Sequence, residues 1–193
     1  MDRFYVPAVR DPAAITALFD LIADLYDSLV GYATNLDMAR RLLRAVLEVA
    51  DHPRIILDFG CGTGVAHQAL QDFEFDAKVV GTDLSGEMLR NAMQRGEAVV
   101  TIDQWRRDTR LYDGAIASFV LHYGVAVDDL KKIASSLRVG GRFAANFFKA
   151  NEVEVGDLIA TLADVGLRLI RQEQPSVETA AANPILVFER VAS

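Results

Sequence analysis

The sequence predicts an α/β fold with a doubly wound, mainly parallel sheet, and three observations carry that expectation. The apolar run Ile55-Ile56-Leu57 meets an acid, Asp58, and then the alternating glycines Gly60, Gly62 and Gly64. A short β-rich run feeding into glycines reads as a buried strand, a turn whose backbone lies close to something bulky, and a helix. The run Val79-Val80-Gly81-Thr82 then ends in Asp83, nineteen residues past Gly64. Such a carboxylate stands at the C-terminal end of a neighbouring strand, where ligands of open α/β sheets bind, and its two oxygens can accept both hydroxyls of a ribose. Lastly, short apolar runs alternate with amphipathic stretches along the rest of the chain, as strands joined by crossover helices require.

In order, strands are expected at 54–59, 78–83, 98–102, 113–118, 141–148, 167–174 and 184–191. Helices are expected at 65–73, 87–95 and 128–137. In the last of these, Leu130, Ile133, Ala134 and Leu137 share one face, with Asp128 available as the cap. A further helix near 154–165 puts Leu158, Ile159, Leu162 and Val165 on one face and ends at Gly166, a residue type suited to the left-handed turn after a helix. The stretch 1–50 reads as helical. Pro12 stands near a helix start, Ile15, Leu18, Phe19, Ile22 and Leu25 supply the apolar positions, and a second helix is expected at about 35–50. The expectation is a single domain over 1–193, with a helical segment at 1–50 and a ligand-binding core at 51–193. No internal repeat or low-complexity linker interrupts it.

A chain of 193 residues, 51% apolar and 24% charged, can bury one sizeable core and is not expected to be disordered. No basic stretch leading into an apolar segment opens it and no run of eighteen apolar residues occurs, so neither secretion nor membrane spanning is expected. The one cysteine, Cys61, fits a reducing, cytoplasmic setting. No histidine stands ready to activate it, so a small filler in the turn is its expected role. A net charge of −7 opposes binding to nucleic acid, which depends on neutralising many phosphates. The arginine groups Arg40, Arg41, Arg44 and Arg106, Arg107, Arg110 read as solvated faces. No metal centre is expected.

Glycine spacing narrows the ligand. Dinucleotide-binding turns read G-x-G-x-x-G, whereas here the pattern is G-x-G-x-G and Val65 stands where the third glycine belongs. Asp58 adds negative charge where a pyrophosphate would approach, which suits a cationic nucleoside ligand instead. On these residues, Asp58, Gly60, Gly62, Gly64 and Asp83, the chain resembles the class I S-adenosylmethionine-dependent methyltransferases of the small-molecule type. The resemblance runs through 55–149. Asp103-Gln104-Trp105 is similar to the place where that family ends its third strand with an acid meeting the adenine amino group. The run from Tyr112 to Tyr123 resembles its fourth strand and the segment beneath the sulfonium. Leu137-Arg138-Val139-Gly140-Gly141-Arg142-Phe143 resembles its "LkpGG" turn, and Phe19 to Asp27 resembles its "YD…YD" opening.

This resemblance implies a Rossmann-like, seven-stranded sheet whose last strand is antiparallel, with residues 1–50 as a lid. It implies S-adenosyl-L-methionine as cofactor and S-adenosyl-L-homocysteine as product. The implied cofactor-binding residues are Tyr26, Asp58, Gly60, Cys61, Gly62, Gly64, Asp83, Leu84, Met88, Asp103, Gln104, Trp105 and Ser118. Trp105 and Met88 suit the core as well as an adenine face, and Tyr26 and Tyr32 suit aromatic anchors as well as lid residues.

Methyl transfer mainly requires the acceptor to be held in line behind the methyl carbon, and a base only where the acceptor keeps its proton. His122 and Tyr123, just after the fourth strand, are the candidate catalytic residues, with His122 the first choice. Ser118-Phe119-Val120-Leu121 stands where adenine-N6 and glutamine-amide methylating enzymes carry an N-P-P-Y type sequence, so oxygen, carbon or amine acceptors are expected. The connections at 122–127 and 150–153 are short. The acceptor is therefore expected to be a small molecule, on a site that is open or completed in a homodimer, with no nucleic-acid or membrane partner. One alternative keeps the fold without methyl transfer, as a cyclase, a decarboxylase or a binding or scaffold protein. A nicotinamide oxidoreductase is disfavoured by the missing third glycine and by Asp58.

Overall fold

The apolar runs become one seven-stranded sheet in a computed structural model that describes residues 11–48, 54–73, 76–148, 152–173 and 184–192. Its strands are β1 (Arg54–Phe59), β2 (Ala77–Asp83), β3 (Ala98–Thr101), β4 (Tyr112–Ala117), β5 (Leu137–Asn146), β6 (Leu167–Glu173) and β7 (Ile185–Arg190). They lie in the order β3-β2-β1-β4-β5-β7-β6, and β7 runs antiparallel to both its neighbours. Strand order reverses between β1 and β4, the position where open sheets of this kind leave a crevice.

Alternation along each strand sends neighbouring side chains to opposite faces. Ile56, Ile116, Ala144 and Val187 pack with α3 (Tyr32–Leu47) and α4 (Val65–Leu70). Leu57, Ala115, Phe143 and Phe188 pack with α7 (Val127–Ser136) and α8 (Glu152–Asp164) on the other side. Leu42, Leu43 and Leu47 of α3 are wholly buried, and at roughly 1.5–3 kcal/mol for each such side chain they fix this helix against the sheet.

The described part of the N-terminal segment, residues 11–48, is largely helical, as expected, while residues 1–10 lie outside the described residues. In α1 (Pro12–Ile22), Pro12 takes the first turn and Asp11 caps it, accepting a hydrogen bond from the Ala14 N–H at 3.1 Å. A 3₁₀ turn (Ala23–Leu25) and α2 (Tyr26–Val30) follow, and α3 starts at Tyr32, three residues before the expected position. The expected end of that helix, at 49–50, lies outside the described residues, as do residues 150 and 151 of the 150–153 connection.

Three expectations are corrected. The third strand stops at Thr101 and α6 (Ile102–Arg107) begins at once. Thr101 accepts from the Gln104 N–H at 3.2 Å while the Gln104 side chain accepts from the Thr101 N–H at 2.9 Å, a reciprocal cap that converts the expected strand tip into a helix. Asp128 is not the cap of α7: the N-cap is Ala126, and Asp128 lies in the first turn, paired with Lys131 at 3.2 Å. β5 begins at Leu137, directly after α7, rather than at 141.

Candidate active site

The glycine turn is held by backbone geometry. Gly60 and Cys61 donate to the Thr82 carbonyl at 2.8 and 3.0 Å, and the Gly62 N–H donates to Asp83 Oδ2 at 2.9 Å. Asp83 Oδ1 accepts from the Ser85 N–H, also at 2.9 Å. Asp83 thus fastens the turn to the end of β2. Gly62 has φ +54°, and a Cβ there would meet nothing within 4 Å, so its face looks onto empty space. Gly64 is constrained differently, since its Cβ would stand 2.8 Å from Ala92 Cα on α5 (Gly86–Gln94).

Three acids stand beside this turn, the buried Asp58 and Glu97 and the half-buried Asp83. Asp58 is 3% exposed, its Oδ1 has no hydrogen-bond partner, and burial, reinforced by the charge of Asp83, pushes its carboxyl up to about 7. Burial also raises Asp83, opposed by the N–H donors of Ser85, Gly62 and Leu84. Glu97 is equally buried and likewise raised, first by burial and then by Asp58. Acidic groups held in low dielectric make this pocket favourable to positive charge.

The crevice is a cleft with a cavity volume of about 170 Å³ that opens to solvent. Gly60, Gly62, Asp83, Leu84, Met88, Ser118, Tyr26 and Tyr123 all line it. A smaller inner pocket shares Tyr26, Gly60, Gly62 and Ser118 and adds Asp58 and Cys61. The Cys61 thiol is pushed up by burial, and Tyr26 is raised by burial and by nearby Tyr123, Asp83 and Asp27, so both stay neutral.

Other expected residues lie elsewhere. Trp105 is wholly buried, with its ring 5.2 Å from that of Phe59, and belongs to the core. The Gln104 side chain is taken by its cap, and the Asp103 side chain is 70% exposed and 3.4 Å from Arg106. His122 stands behind Tyr123, ring centroids 4.0 Å apart, and does not line the cleft. Burial lowers His122 to about 4 and raises Tyr123 to about 12, so neither carries charge near neutrality. Tyr32 lies 5.3 Å beneath the Arg95 guanidinium, outside the cleft.

Residues not foreseen complete the walls. Arg106 binds both oxygens of Asp129 at 2.9 Å, joining α6 to α7 at the rim. These residues are twenty-three apart, with no local signal to link them. The N-terminal helices are fastened across the cleft by Asp20 to Ser85 Oγ (2.6 Å), Asp24 to Arg90 (3.0 Å) and Asp27 to Arg95 (2.6 Å) and Thr63 Oγ1 (2.8 Å). Their spacing, four and then three residues, marks one helical face. That acidic stripe was visible in the sequence and is the signal that could have found the latch.

Residues 56–141 match the family described as a methyltransferase domain. Over this stretch the chain is similar to methyltransferase domains. It is 30% identical over 145 residues to a demethylmenaquinone methyltransferase of Thermobifida fusca, covering 69% of this chain and 60% of that protein. It is 34% identical over 85 residues to a malonyl-[acyl-carrier protein] O-methyltransferase of Halorhodospira halophila, covering 44% of this chain and 28% of the relative. The chain thus spans less than two thirds of the length of either. A Burkholderia thailandensis 1,6-didemethyltoxoflavin-N1-methyltransferase, solved with 1,6-didemethyltoxoflavin and S-adenosylhomocysteine bound, has the same fold at a TM-score of 0.71 and 18% identity, covering all of this chain and 94% of its own. Among the described residues no helix is long and apolar enough to cross a membrane.

Proposed function

We propose that the protein is an S-adenosylmethionine-dependent methyltransferase acting on a small-molecule acceptor. The observation that carries this reading is the juxtaposition of the open face of Gly62 with the buried Asp58, one of whose oxygens lacks any partner, and the half-buried Asp83. Asp83 would face the ribose hydroxyls, Gly62 would give room for the ligand to lie against the backbone, and Leu84 and Met88 would flank the base. Asp58 would face positive charge from the inner pocket. Bound there, S-adenosylmethionine supplies a methyl group already activated on a sulfonium.

The chain's own work is then positioning and exclusion of water. Tyr26, brought over the turn by the Asp20, Asp24 and Asp27 contacts, closes the pocket from the N-terminal side and makes those helices a lid. Tyr123 orients the acceptor, and His122 braces Tyr123 from behind rather than reaching the acceptor as a base. Asp103, Gln104 and Trp105 support the wall through the α6 cap and the core. The free thiol Cys61 suits a reducing, cytoplasmic setting.

Thermal shift with S-adenosylmethionine, S-adenosylhomocysteine and NAD tests the reading, because a ligand bound by the folded state raises its stability with the logarithm of its excess over Kd. Stabilisation by the first two alone is expected. Indifference to both would refute it.

A further inference from the structure

We infer that the acceptor is an uncharged, planar ring compound, held against a continuous aromatic wall on the β4–β5 side of the cleft; this rests on the methyl-transfer reading above. Six rings follow one another without a break. Tyr26 meets Phe19 at 5.8 Å between centroids, Phe19 meets Tyr123 at 5.5 Å, and Tyr123 meets His122 at 4.0 Å. His122 then meets Phe148 at 5.4 Å, and Phe148 meets Phe119 at 5.9 Å. Phe19, Tyr26, Phe119 and Tyr123 line the cleft, while His122 and Phe148 back them from behind. The rings come from three separate parts of the chain: the N-terminal helices, the exit of β4 and the exit of β5. Sheet order puts the glycine turn and Asp83 over β1 and β2, so the part of the wall built from Tyr123, His122, Phe148 and Phe119 stands at the other half of the crevice, while Tyr26 reaches the glycine turn.

Two further observations bear on what the wall receives. Phe119 is the one non-glycine among the described residues with positive φ, at +56°. Its N–H is held by the Oδ1 of the fully buried Asn146 at 2.7 Å. A bulky residue kept in this conformation by its surroundings is the kind of strain that gathers at ligand sites. The charge of the cleft is also selective. Its charged lining residues are Asp83, Asp129 and Arg106, and the guanidinium is already bound to both oxygens of Asp129. Among the described residues no unpaired lining cation is left to meet a carboxylate or phosphate, so an anionic acceptor is disfavoured. An alkyl acceptor would gain burial alone, whereas each aromatic pair adds roughly 2- to 12-fold in affinity beyond burial.

The test is calorimetric titration of the full chain, first with S-adenosylhomocysteine and then, once loaded, with 2-naphthol, 2-naphthoate and decahydro-2-naphthol. Binding of 2-naphthol at least tenfold tighter than either of the others is expected. In Phe19→Leu, and separately in Tyr123→Leu, the preference over decahydro-2-naphthol should shrink several-fold while S-adenosylhomocysteine still binds. Equal or tighter binding of 2-naphthoate, or no preference for the aromatic over the saturated alcohol, overturns the inference while leaving the methyltransferase reading intact. Failure to bind S-adenosylhomocysteine at all overturns both.

Discussion

Asp58 gives the sharpest handle on the site, because its ionisation is coupled to the charge of whatever fills the pocket. In the free protein burial and the nearby Asp83 hold its carboxyl at about 7, so near neutrality only about half the molecules carry the anion. A sulfonium or α-ammonium beside it favours the ionised form and lowers its bound-state pKa, so binding releases a proton and apparent affinity falls with acidification. Ionisation drops from about one half at pH 7 to about 3% at pH 5.5, a loss of roughly 15-fold in affinity, or ~1.6 kcal/mol. The ligand's own α-amino group stays protonated throughout this window. Acidification across this window does not weaken the fold through Asp58: a carboxyl raised in the folded state destabilises as it ionises, so its cost is absent below the unfolded pKa of about 3.9, grows with pH and is complete above the folded value. The assay is calorimetric titration with S-adenosylmethionine at pH 7.0, 6.25 and 5.5, alongside Asp58→Asn. A wild-type affinity that changes less than twofold, or an Asn variant with the same pH slope, would refute the reasoning.

Gly62→Val should abolish binding of S-adenosylmethionine by calorimetry, since its side chain enters the cleft; the positive φ adds about 1–2 kcal/mol of strain, readable as a lowered Tm. Asp83→Ala should weaken the same ligand and, because the Gly62 and Ser85 N–H groups lose their acceptor, also lower stability by about 1–3 kcal/mol in urea unfolding; an unchanged midpoint would show that the turn holds itself. Trp105→Ala should cost about 3–5 kcal/mol of stability but leave the Kd of the folded protein within a few-fold; a complete loss of binding without destabilisation would return Trp105 to the site.

The sheet was legible because its signals are local. Apolar runs of the right length, the acid-glycine turn and Asp83 at a strand end are each properties of neighbouring residues, and backbone sterics turn them into a strand, a tight bend and a helix wherever they occur. The same logic makes Thr101 and Gln104 a cap, a signal present in the sequence but overridden there by the expected strand through 102. What the sequence could not supply was any relation between distant segments. The pairing of Arg106 with Asp129, the burial of Trp105 and the retreat of His122 behind Tyr123 depend on where α6, α7 and the exit of β4 pack against the sheet. The chain therefore determined by itself its strands, its turn and the acids flanking it, through local conformational preference and periodicity. The tertiary structure decided which side chains face the cleft and how much water each titratable group keeps, because direction and desolvation exist only once the layers have closed around them.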